Sequence, residues 1–143
     1  MSLRKIGESA LNAWVSQMLE ETSVVGPQVE EDRFDFRPLS RAEQLRLDYD
    51  VSLTPPNKVC FQPPEEVIAR FQGADYESVF DDEPFVLFGV HPYDMVAINQ
   101  MDEIFSMDNA DAHYQARREA ATIVAMDAQS VSPNVFAGPM GTA

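Results

Sequence analysis

The segment Phe85-Val86-Leu87-Phe88-Gly89-Val90 constrains this chain more than any other. A run of this length without a polar side chain suits a strand, and its successive side chains point to both faces of a sheet. Such a strand must be covered on both sides, which fits the centre of a parallel sheet. Pro84 precedes it and His91-Pro92 ends it. Beyond it, Ala97, Ile98, Met101, Ile104 and Phe105 fall on one helical stripe, with Asp94 in the first turn, where a carboxylate suits the helix dipole. Asp108-Asn109 reads as the cap of a further short helix through Glu119. Ala121-Thr122-Ile123-Val124-Ala125-Met126 is then a second buried strand. Strand, helix and strand at this spacing predict a βαβ unit with a right-handed crossover.

The first half is less regular. Leu11, Trp14, Val15, Met18 and Leu19 make an N-terminal amphipathic helix. Gly26-Pro27 is expected to break whatever follows. Phe34 and Phe36 between polar neighbours predict a short two-faced strand, with Val24 and Val25 in its hairpin partner. Prolines 38, 55, 56, 63 and 64 mark an ordered connection, with Val59-Cys60-Phe61 as a short edge strand between two proline pairs. Pro64-Glu65-Glu66 is expected to open a helix through Phe71 that Gly73 stops. Asp75, Glu77, Asp81, Asp82 and Glu83 read as solvated surface rather than a dock for a basic partner. The expected architecture is a single α/β domain over residues 1–143: a small mixed sheet with a βαβ unit in the second half and an N-terminal amphipathic helix.

Composition narrows the function. Hydrophobic residues at 45% exclude a disordered tail. The 10 Lys and Arg against 24 Asp and Glu give a net charge of −14, which works against nucleic acid or an anionic membrane as main partner, since each needs a cationic face. No apolar run approaches the ~20 residues of a membrane span, and no apolar segment follows Met-Ser-Leu-Arg-Lys. The lone Cys60 excludes an internal disulfide and a thiolate cluster built within this chain, so a reducing, cytoplasmic setting is expected.

Ligands of parallel sheets sit beyond the carboxyl ends of the strands. Those ends lead into the loops from His91 to Asp94 and from Asp127 to Ala143, which meet if the two strands are neighbours. His91 and His113 lack metal-ligand spacing, and a calcium loop starting at Asp108 fails at Ala110, Ala112 and His113. No metal site is expected. There is no glycine-rich phosphate loop or nucleophile elbow, and no acid–base pair that spacing alone brings together, so no catalytic residue is assigned. His91 fits a strand-end cap better than a ligand, and Cys60 fits a half-buried structural thiol. Arg117-Arg118 either clamps an anion or is the surface cation pair that a helix C-terminus favours.

Several segments resemble one family. They are Leu87 through Asp94, Asp102-Glu103-Ile104-Phe105, Tyr114 with Arg117-Arg118-Glu119, and Phe136 with Met140-Gly141-Thr142, together with the earlier Pro55-Pro56-Asn57-Lys58 through Phe61-Gln62 with Glu65-Glu66. The family is that of the iron–sulfur electron-transfer subunits of anaerobic sulfite reductase and of sulfhydrogenase, where it is the β subunit. It carries F-G-V-R-P-C-D, Y-Y-x-x-R-R-E, a strand ending in N-C, and C-F-C before M-G-T. Where the family has cysteine, this chain has Tyr93, Ala128, Val135 and Ala137. A [4Fe–4S] cluster needs four thiolates. The resemblance therefore implies a relic cluster site, with His91, Asp94, Arg117, Arg118 and Met140 as its remaining lining.

Chains of that family continue into a ferredoxin-like region with cysteine runs. The expectation is thus the N-terminal domain of a 4Fe–4S electron-transfer oxidoreductase subunit of hydrogenase or sulfite reductase type, either part of a longer subunit or a naturally short relative. The domain itself would be non-catalytic, without cofactor, and would dock redox protein subunits, with 4Fe–4S clusters confined to the C-terminal region. Self-association is left open. The alternative is a stand-alone assembly or regulatory module of the same fold that lost its redox role. A third reading keeps a small-anion pocket built from His91 and the arginine pair.

Overall fold

The computed structural model describes residues 5–61, 68–128, 138 and 141. Helix α1 (Glu8–Glu21) leads into strand β1 (Ser23–Glu30), which turns back as β2 (Arg33–Pro38). After a short 3-10 turn at Ala42–Gln44 come helix α2 (Pro56–Phe61) and the hairpin β3 (Ala69–Gln72) and β4 (Asp75–Ser78). Strand β5 (Phe85–Val90), helices α3 (Pro92–Ser106) and α4 (Ala112–Ala120), and strand β6 (Ala121–Ala125) follow. The main sheet has the order β2-β1-β5-β6, and β3-β4 forms a separate two-stranded sheet.

The expected α/β class and βαβ unit are present. β5 pairs in parallel with both β1 and β6. All six of its residues are buried. Phe85 and Leu87 face a core shared with Val25, Phe36, Tyr49, Phe61, Ile98 and Tyr114, beneath α2, α3 and α4. Val86 and Phe88 face the opposite core with Val15, Val24, Leu39 and Ala42, covered by α1. Trp14 closes that second core, its ring edge-on to Phe88 at 5.6 Å.

The pairing of β5 with β6 slips between Phe88 and Val90. Strict alternation would send Val90 to the α1 side. The irregularity returns it to the same core as Phe85 and Leu87. Gly89 supplies the turn, with φ +83°. A Cβ there would lie 3.1 Å from Leu47 Cδ2 and 3.2 Å from Pro27 Cδ. The linker between β2 and α2 crosses from one core, at Leu47, to the other, at Tyr49, at this level, and the Tyr49 hydroxyl donates 2.7 Å to the Gly89 carbonyl.

Five sequence expectations are corrected. Gly26-Pro27 does not break the chain: both lie inside β1. The missing N–H of Pro27 is tolerated because β1 pairs with β5 only over Ser23–Val25. Val59-Cys60-Phe61 is the end of helix α2 rather than an edge strand, since Pro56 opens the helix at a position that needs no donor. The expected helix over 64–71 gives way to strand β3 at its end, and residues 62–67 lie outside the described residues. Asp111, not Asp108-Asn109, caps α4, its carboxylate accepting from the backbone N–H of His113 and Tyr114 at 3.0 Å each. β6 is an edge strand with only partial burial.

Gly89→Val is expected to cost about 2–4 kcal/mol, combining a β-branched side chain at positive φ with overpacking against Pro27 and Leu47. Urea unfolding checks this. A loss below ~0.5 kcal/mol would mean the bulge is not constrained as described.

Candidate functional site

The carboxyl tip of β5 gathers an aromatic and polar cluster. His91 precedes the first turn of α3, where its carbonyl accepts from Met95 N–H at 3.0 Å. Its ring is fully buried and stacks on Tyr49 with centroids 4.1 Å apart and planes 5° from parallel. His91 Nδ1 contacts the Tyr93 hydroxyl, and that hydroxyl also donates to the Asp50 carbonyl. A phenol has one proton to give, and a carbonyl can only accept. The Tyr93 proton therefore goes to Asp50, and His91 must donate through Nδ1–H. This count puts a proton on Nδ1, and because burial disfavours the charged ring, Nε2 is left as a bare lone pair. Among the described residues, His91 Nε2 is buried without a hydrogen-bond partner.

Burial lowers the His91 pKa below its ordinary value, with the Asp50 charge and carbonyl opposing. Burial raises the Tyr93 hydroxyl, and the carboxylates of Asp94 and Asp50 add to the rise. Tyr93 thus stays a phenol with its hydroxyl occupied. Burial also pushes the Asp94 carboxyl up to about 6. The β6 exit lies beside this tip, with Met126 N–H donating 2.9 Å to the Val90 carbonyl. Ala128 follows two residues later and is half-buried. Val135, Ala137 and Met140 lie outside the described residues.

The arginine pair belongs elsewhere. Arg117 pairs with Asp81, donates through Nε to the Cys60 carbonyl, and stacks over Phe85 at 4.9 Å, at the opposite end of β5 from His91. Arg118 places Nε 3.1 Å from both Asp102 carboxylate oxygens, and Tyr114 donates to the same carboxylate at 2.6 Å. Both guanidinium groups are engaged by carboxylates of this chain. The structure brings His91, Tyr93 and Asp94 together but does not bring Arg117 or Arg118 to them, so the anion pocket of His91 with both arginines does not form. A half-open cavity of about 660 Å³ sits at the Arg117 end, between Thr22, Val25, Cys60, Asp81 and Phe85. The Cys60 thiol is buried there, and burial pushes its pKa up to about 12.

Sequence reasoning missed Tyr49 and Asp50. No periodicity or motif marks them, because their role arises from a linker folded against a distant strand end. Among the described residues, no group of three or more His, Cys, Asp and Glu side chains could hold a metal ion. No helix among them is long and apolar enough to cross a membrane.

Tyr93→Phe removes a bond from both His91 Nδ1 and the Asp50 carbonyl, with an expected cost of about 1–3 kcal/mol in urea unfolding. A cost near zero would show that the hydroxyl is not shared in this way. Asp94 has its pKa raised in the folded state, so its contribution to stability falls as pH rises from the unfolded value of ~3.9 through about 6. His91 has the opposite sign, with stability lost as pH falls below 6.5. Because its carboxyl is partly exposed, Asp94→Asn is expected to gain only about 1 kcal/mol over the parent between pH 4 and pH 7. An advantage that shrinks with rising pH would contradict the assignment.

No protein-family model and no solved structure matches the chain. Among curated proteins, the chain is similar to sulfhydrogenase 2 subunit beta of Pyrococcus furiosus, with 31% identity over 109 residues. The match covers 76% of this chain and 32% of that protein, so the chain spans about a third of the length of its curated relative.

Proposed function

We propose that the chain is a domain of an electron-transfer oxidoreductase subunit of hydrogenase type. In this reading it holds no iron–sulfur cluster of its own and serves to dock redox partner subunits. The observation that carries the reading is the 31% identity, over most of this chain, to a sulfhydrogenase β subunit. The parallel pairing of β5 and β6 supports it, because it sends the loops after both strands from the same edge of the sheet.

The residues do not fit the cluster that the resemblance implies. Of the four positions that resemble cluster cysteines, Tyr93 spends its hydroxyl on Asp50 and His91 and is held as a phenol, while Ala128 has no donor atom. The only thiol, Cys60, is buried on α2 and kept protonated. An iron–sulfur cluster needs deprotonated sulfur ligands. What this chain's residues do at the tip of β5 is pack. The stack of Tyr49 on His91 and the bonds around Tyr93 hold the linker between β2 and α2 against the β5 exit.

A second reading, an assembly or regulatory module without a redox role, draws on the same lack of ligands. Iron analysis and partner binding separate them. The chain is expected to be colourless and iron-free after anaerobic reconstitution with iron and sulfide, and Tyr93→Cys alone is expected to change neither result. Iron near four per chain with a band near ~400 nm would overturn the cluster-free reading. Failure to co-purify with any redox subunit encoded beside it would favour the regulatory module.

A further inference from the structure

The β3–β4 hairpin stands apart from the main sheet. Each strand has four residues, and every residue of β4 is exposed. A lone two-stranded hairpin is marginal in water. Its base is tied down: Val79 N–H donates 3.0 Å to the Ile68 carbonyl, the His113 ring lies 3.0 Å from the same oxygen, and Phe80 packs on His113 with centroids 4.8 Å apart. Among the described residues, nothing covers its outer part. The register places Phe71 opposite Tyr76 and Ala69 opposite Ser78 on one face, with Arg70 opposite Glu77 and Gln72 opposite Asp75 on the other. Phe71 is 76% exposed and Tyr76 70%, their rings 6.2 Å apart. Two large aromatic rings side by side in water mark a contact surface more than a solvated face.

The surrounding charge says what would cover it. From Ile68 to Glu83 the only cation is Arg70, against Asp75, Glu77, Asp81, Asp82 and Glu83, and of these Asp81 is taken by Arg117. A second copy of the chain would bring a net charge of −14 against −14. We infer that the Phe71–Tyr76 face of the hairpin is the docking surface for a different polypeptide that presents an apolar patch edged by lysine and arginine. The aromatic pair supplies the buried anchor, and Asp75 and Glu77 on the back of the thin hairpin, within a Debye length of that face, steer a cationic partner's approach. This surface lies on a different element from the strand tip and does not depend on the electron-transfer reading.

The test uses the whole chain, isotopically labelled, and two synthetic probes: a decapeptide of alternating leucine and lysine, and one of alternating leucine and glutamate. Binding of the cationic peptide is expected to shift amides of residues 68–78 and to weaken as salt rises. The double variant Phe71→Ser, Tyr76→Ser is expected to bind it at least about tenfold more weakly at an unchanged melting temperature, since neither ring belongs to the core. Three results would overturn the inference. One is equal binding of both peptides, and another is amide shifts centred elsewhere. The third is concentration-dependent dimerisation of the parent chain that the double variant abolishes, which would make a second copy the occupant.

Discussion

Burial of β5 on both faces is the constraint on which the rest of the molecule depends. A strand with no solvent face must be flanked by strands and roofed by helices on either side. The flanks are β1 and β6, and the roofs are α1 on one side and α2, α3 and α4 on the other. Phe85 and Leu87 hold one core, Val86 and Phe88 the other, and the bulge at Gly89 turns Val90 back into the first. Because the bulge brings Pro27 and Leu47 close to Gly89, it also fixes where the linker between β2 and α2 can cross the end of the sheet.

That crossing shapes the candidate site. Tyr49 is anchored on the Gly89 carbonyl and lies flat against His91, so the tip of β5 is closed by rings rather than left as an open cleft. The polar atoms gathered there largely satisfy one another: the Tyr93 proton goes to Asp50, and the His91 Nδ1 proton goes to Tyr93. A site built this way holds two loops in register but offers little to a ligand. The opposite end of β5 is organised differently, by the ion pair of Arg117 with Asp81 and the stacking of Arg117 on Phe85. These groups set the geometry of α4 against the sheet.

Much of the architecture was legible in the sequence where one period dominated. The apolar run of β5, the stripe of α1 and the strand–helix–strand spacing held, because burial on a sheet or under a helix leaves a regular pattern, and the α3 stripe held at Ile98, Met101 and Phe105 but not at Ile104, which is exposed. Local chemistry misled where tertiary context decided. Pro27 looked like a breaker, but it sits in β1 past the stretch paired with β5. The proline pair at 55 and 56 suggested a connection before a strand, whereas Pro56 begins a helix. Gly73 was read as a helix stop, yet with φ +68° it makes the turn of a hairpin. At the site, His91, Tyr93 and Asp94 were picked out by their place after the central strand. Arg117 and Arg118 were grouped with them by likeness of motif, although a full strand length separates Arg117 from His91. Tyr49 and Asp50 were invisible because their role depends on a contact forty residues away in sequence.

The central claim is that the tip of β5 is a closed, mutually bonded cluster, with Tyr93 committed to Asp50 and His91 to Tyr93. The nitrogen-15 shifts of the His91 ring across pH test it most directly, since they report which ring nitrogen carries the proton. The account requires a neutral ring with its proton on Nδ1 and none on Nε2, persisting below pH 6.5. A ring protonated on Nε2 at neutral pH, or one that titrates as an exposed histidine does, would mean that the Tyr93 hydroxyl is not committed as described and that the closed cluster does not exist.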